Sequence, residues 1–147
     1  MEDRYLFKGK RLDNGEWVQG YLVYDNRDKL YRIIMEIQYS TGTCITTDNA
    51  PRVDSSTICQ YTGLKDKNGK LIWENDIVKA TVRQNSLCQS SSYSDFYQIS
   101  YQEKYCYFYL KKKNNNLLFD GNWSYYLKSI EVIGNIFDNP ELLESEE

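Results

Sequence analysis

Hydrophobic and polar positions alternate with a period of two through most of the chain, the spacing of strands with one face buried and the other wet. Residues 4–12 and 16–24 are two such runs on either side of Asp13-Asn14-Gly15. An Asn-Gly pair between alternating runs predicts a hairpin with a type I′ turn, which needs φ > 0 at both central residues. A polar turn over 25–29 leads into a β-branched and aromatic run over 30–37. Residues 40–56 turn to Ser, Thr, Gly, Asp and Pro51, which predicts a loop with at most a short strand near 44–47. Strands are expected again over 57–65 and 71–82, joined through Asn68-Gly69, with Glu74-Asn75-Asp76 as a polar corner. The Ser-rich stretch 84–95 reads as a polar loop. Residues 96–101 and 104–110 read as a Tyr-rich hairpin with Cys106 packed in its second strand, 111–116 as a turn, and 129–137 as a last strand. Segment 117–128 fits no single pattern. In the tail, Asn139 suits an N-cap, Pro140 the first helical position and Glu141 the first turn.

No other segment has helical periodicity over ten residues, and no internal repeat is visible. The expected fold is therefore mainly β: a small antiparallel, barrel-like or SH3-like core with long loops near 40–56 and 84–95 and one short C-terminal helix. One domain over 1–147 is expected, divisible into β subdomains at about 1–56 and 57–140, with an acidic tail over 141–147.

Composition narrows the chemistry. The 147 residues include 14 Tyr, 3 Trp and 5 Phe but no His, which excludes His-dependent nucleophilic catalysis, a His general base and His-ligated zinc. A net charge of −3 argues against a chain that binds polyanions with its whole surface. No apolar run is long enough to span a membrane, and the start, Met1-Glu2-Asp3-Arg4-Tyr5, has no secretory pattern. A cytoplasmic protein is expected, with Cys44, Cys59, Cys88 and Cys106 as free thiols, since no CxxC pair is present.

The stretch Gln60-Tyr61-Thr62-Gly63-Leu64-Lys65-Asp66-Lys67-Asn68-Gly69-Lys70, continuing through Trp73-Glu74-Asn75-Asp76-Ile77-Val78, resembles the signature of the YopX family of phage and prophage proteins. It departs from that pattern at Leu71, at Trp73, and at Asn75, where the family has Gly. Glu131-Val132-Ile133-Gly134-Asn135-Ile136-Phe137, running on to Leu143, resembles the family's C-terminal motif, and Phe7 to Gly20 its opening hairpin. The resemblance implies a small, mostly β protein encoded by a phage or prophage, and it brings no enzymatic role with it. The motif positions Tyr61, Gly63, Leu64, Asp66, Gly69, Glu74, Asp76, Gly134 and Asn135 read as structural. Gly63, Gly69 and Gly134 suit positive φ or close backbone approach, Asp76 suits a turn cap, and Asn75 tolerates the left-handed region.

Two constellations offer chemistry. Asp66, Glu74 and Asp76 lie within eleven residues and could converge on a cation or act as acid and base, with Asp48, Asp54 or Asp120 joining. The competing reading gives Asp66 to a turn, Glu74 to solvent and Asp76 to a cap. The second is a cation-aromatic surface. Lys8, Lys10 and Arg11 lie near Tyr5, Phe7 and Trp17, and Lys111, Lys112 and Lys113 follow Tyr105, Tyr107 and Tyr109. Such interleaving serves single-stranded nucleic acid, and it serves protein interfaces equally well. No catalytic, metal or cofactor-binding residue is assigned. The expectation is a non-enzymatic interaction or self-associating module without a cofactor, with nucleic-acid binding as the alternative and no membrane partner.

Overall fold

Ten strands carry the chain in a computed structural model that describes residues 5–35, 49–86, 89–112 and 128–144. They are β1 (Leu6–Lys10), β2 (Trp17–Asp25), β3 (Leu30–Ile34), β4 (Arg52–Val53), β5 (Cys59–Lys65), β6 (Leu71–Trp73), β7 (Asp76–Ser86), β8 (Gln89–Gln102), β9 (Tyr107–Lys111) and β10 (Glu131–Asn135). Pairing is antiparallel wherever its register is defined. One sheet has the order β4-β3-β2-β1-β5-β6 and the other β10-β7-β8-β9. The mainly β class therefore holds, but as two open sheets rather than a closed barrel: among the described residues, the end strands of neither sheet pair with each other.

The chain divides into two compact units, Met1–Tyr61 and Thr62–Glu147. In the first, β1 pairs with β2 on one side and with Cys59 and Gln60 of β5 on the other. Ile33, Val53, Cys59 and Tyr61 are its buried apolar residues. Gly20 is required by close approach, since a Cβ there would lie 2.2 Å from the Ile34 carbonyl oxygen on the neighbouring strand. In the second unit Ile72, Val78, Ala80, Tyr97, Ile99, Leu110 and Ile130 form one buried cluster, with Leu64, Phe108 and Val132 packed against it.

Several local expectations are corrected. The Asn-Gly hairpins are not type I′ turns, because only Gly15 (φ 72°) and Gly69 (φ 83°) are left-handed there. The first is a wider loop closed by the Arg11 N–H on Glu16 O at 2.9 Å, and the second is closed by the Asp66 N–H on Lys70 O at 2.8 Å. Side chains decide this. Asn14 Oδ1 accepts the Glu16 N–H, and Asp66 Oδ1 accepts the N–H groups of Asn68 and Lys70, tying both loops into wider turns.

Within the polar stretch 84–95, the described residues 84–86 and 89–95 are not a loop: they belong to the β7–β8 hairpin, in unbroken register from Ile77↔Gln98 to Ser86↔Gln89. Backbone ladders need no apolar side chains, and Thr81 and Ser94 add a cross-strand hydroxyl bond of 2.9 Å. The short strand expected at 44–47 and the ambiguous stretch before 128 fall outside the described residues. Cys106 is not a packed strand residue: it is exposed and left-handed (φ 54°), turning the chain from the 3₁₀ turn Glu103–Tyr105 into β9.

The C-terminal helix is present as the 3₁₀ turn Pro140–Leu143, with Pro140 in its first turn as expected. Asn139 occupies the cap position without a side-chain cap bond. Its own N–H donates to Asn135 O at 2.9 Å, and its Oδ1 lies where a Cβ on Gly134 would be, at 2.5 Å. Gly134 is thus small because Asn139 sits on it.

Candidate functional site

The carboxylates of the central motif are held by backbone. Asp66 follows β5 and is buried; its Oδ1 accepts from Asn68 and Lys70 and its Oδ2 from the Val132 N–H at 3.0 Å. The Lys67 N–H donates to Ile130 O at 3.0 Å, and Lys67 pairs with Glu131, so the whole turn is fastened to the start of β10. Burial pushes the Asp66 carboxyl up, but the three N–H donors and the Lys70 charge outweigh it and hold the group below the usual carboxylate range. Asp76, also buried, caps the corner by accepting the Trp73 N–H at 2.9 Å. Asn75 is in the left-handed region, at φ 64°, which Asn tolerates. It ties three segments: its N–H donates to Ile99 O, its carbonyl accepts from Ile136, and its Oδ1 accepts from Gln98. Asn135 accepts the N–H groups of Phe137 and Asp138 and shapes the last turn. Glu74 is half-buried beside this corner. Of the other motif positions, Tyr61 is buried, Gly63 is left-handed (φ 84°) and Leu64 packs on the core. Asp66 and Asp76 thus serve separate backbone sites rather than one cation. Among the described residues no three Cys, Asp or Glu side chains gather as a metal site; Asp48 and Asp120 lie outside those residues.

The cation-aromatic residues are placed in both units. In the first, the ammonium groups of Lys8 and Lys10 lie 5.0 and 5.4 Å from the Trp17 ring centre, while Arg11 pairs with Asp13 at 2.6 Å. In the second, Tyr105 and Tyr107 stack with centroids 6.1 Å apart, and Tyr107 meets Tyr109 edge-on at 6.3 Å. Lys104 lies 5.0 Å from the Tyr105 ring and Lys112 pairs with buried Asp95. Lys113 lies outside the described residues. The register explains this row of rings. Leu110 and Phe108 belong to the core side of β9, so Tyr107, Tyr109 and Lys111 point the other way, opposite Gln102, Ser100 and Gln98 of β8. Tyr101 is on the core side, against Phe108 at 5.0 Å. A hydrogen bond with the Cys106 side chain, aided by burial and by the charges of Glu103 and Glu74, pushes its hydroxyl up.

At the end of that row lies a cleft of about 300 Å³, lined by Gln98, Lys111, Ile136, Pro140, Leu143 and Glu144. The 3₁₀ turn at Pro140 forms its wall against β8, and Ile77, paired with Gln98, is fully buried on this side of the sheet. The sequence holds part of this signal, since Ile136, Pro140 and Leu143 fall in the C-terminal motif. Gln98 has none. A second group without a local signal is the ion network of the first unit. Arg32 is buried and donates to Asp25 at 3.0 Å, to Asp28 at 2.5 Å and to Ala50 O at 3.1 Å. Hydrogen bonds from the Arg27 side chain and N–H, with the Arg27 and Arg32 charges, outweigh burial and hold the Asp25 carboxyl far below its ordinary range.

The family model described as YopX protein matches residues 6–144. No curated protein matches the sequence. Among solved structures, the chain is similar to protein EF1440 from Enterococcus faecalis, with 29% identity over 93% of this chain and 96% of that one and a TM-score of 0.54.

Proposed function

Since this chain belongs to the YopX family, whose match spans residues 6–144, we propose that it is a non-enzymatic interaction module, encoded by a phage or prophage and acting in the bacterial cytoplasm. Its working surface is the outward row of β9, and through that row the chain self-associates. The observation that carries this reading is the contact series Tyr105, Tyr107 and Tyr109: Tyr107 and Tyr109 are on the side of the strand away from the core, and Tyr105, from the preceding 3₁₀ turn, stacks on Tyr107. Phe108 and Leu110 already commit the opposite side, so β9 is apolar or amphipathic on both faces, and a two-sided strand needs cover on both. Tyr is favoured at interfaces because the ring buries while the hydroxyl still pairs, and closed symmetric assemblies are the commonest way for one chain to cover such a surface. Light scattering should return a multiple of 17.4 kDa in the micromolar range, and Tyr107→Glu should shift it towards the monomer. A constant monomer mass would overturn self-association.

The second reading, binding of single-stranded nucleic acid, draws support from the Lys–Trp17 and Lys104–Tyr105 pairs. It requires affinity that falls steeply with salt; no binding of an oligonucleotide at ~50 mM salt removes it.

A further inference from the structure

We infer that the cleft at the end of the Tyr row is a recognition pocket for a protein segment in which an apolar side chain stands next to a carboxylate. This rests on reading the chain as an interaction module and names the chemistry of the partner. The cleft, at about 300 Å³, is at the lower end of the size of small-ligand sites, which suits one side chain and its adjoining backbone rather than a cofactor. Its walls divide by chemistry. Ile136, Pro140 and Leu143 are apolar and come from the C-terminal turn; Gln98 and Lys111 come from paired positions of β8 and β9 and are held by the ladder.

Lys111 is the cation that distinguishes this pocket. Among the described residues no carboxylate pairs with it, whereas its neighbour Lys112 is taken by Asp95. Gln98 gives one N–H to Asn75 and is thereby fixed, with its carbonyl oxygen left to accept from a bound backbone N–H. Glu144 also lines the cleft and repels an acid where Lys111 attracts one, so the two charges favour a ligand whose carboxylate lies at Lys111. From Lys111 the same face runs on to Tyr109 and Tyr107, which extends the surface for the rest of the segment.

The test uses the ¹⁵N-labelled full chain and two probes that differ only in charge, N-acetyl-leucine and N-acetyl-leucinamide. The acid should shift the amide signals of Gln98, Lys111, Ile136 and Leu143 with an affinity on the order of 1 mM, as expected for so small a ligand. The amide should bind more weakly. Lys111→Glu should weaken the acid about fivefold and leave the amide unchanged. Equal binding of acid and amide would overturn recognition of the carboxylate, and no shifts at these residues with either probe would overturn the site. Scattering on the same samples separates this from self-association. A monomer that still binds the acid at the cleft removes the Tyr seam alone, and an oligomer that does not bind it removes the cleft alone.

Discussion

The units Met1–Tyr61 and Thr62–Glu147 both bury carboxylates, but the arginine network of the first and the central motif of the second meet them with different partners. In the first, Asp25 and Asp28 are met by guanidinium groups of Arg27, Arg32 and Arg52. In the second, Asp66 and Asp76 are met by backbone N–H groups at the two ends of the β6 segment. The apolar contents differ accordingly: the second unit has one cluster of seven buried residues, while buried Arg32 stands directly beside Ile33 in the first. A side-chain ion pair must overcome desolvation of both partners and the entropy of long side chains. A backbone donor in a formed turn is already in place. The Asp66 and Asp76 sites therefore depend mainly on geometry and the Asp25 network mainly on charge, although Asp25 also accepts the Arg27 N–H and Asp95 in the second unit pairs with Lys112.

That difference can be broken at three points. The largest effect is expected from Ile99→Ala, which opens a cavity in the aliphatic cluster of the second unit. Unfolding there should become easier by about 2–5 kcal/mol, read as faster amide exchange in β7 and β8. A loss below ~1 kcal/mol would mean that the cluster is not what holds this unit.

Next comes Asp66→Asn, which keeps the shape but weakens acceptance from three N–H groups and should cost about 1–3 kcal/mol near neutral pH. Its pH dependence fixes the cause. The Asp66 carboxyl is held below its ordinary value in the folded chain, so its contribution is complete above about pH 4 and is lost as pH falls through the folded value. Wild type and the Asn variant should therefore converge in acid; a gap that persists once the carboxyl has been protonated would point to shape rather than charge.

The smallest effect belongs to Arg52→Ala. Arg52 is 2.9 Å from Asp28 with its side chain about half exposed, at 53%, so the change should cost less than ~1 kcal/mol and vanish in ~1 M salt. A larger, salt-independent loss would show that this outer arginine packs as part of the buried network.

Much of the secondary structure was determined by the sequence alone, because period-two alternation and turn residues act through neighbours. Strands β1 to β3, β5, β6, β9 and β10, the parts of β7 and β8 outside 84–95, the left-handed Asn75, the Asp76 cap and the turn at Pro140 all lie where nearby residues place them. The hairpin at 84–95 was not legible, since a ladder of backbone hydrogen bonds leaves no apolar pattern in a Ser-rich sequence. The family motif marked Asp66 as belonging to a turn, yet its bond to Val132 joins residues 66 apart, and only packing brings them together. The cleft is the extreme case. Gln98, Lys111 and Leu143 come from three separate elements, and what they recognise depends on a strand register and on a C-terminal turn folding back over β8. Local chemistry decides which elements form, whereas a site assembled across elements exists only once long-range pairing has been made.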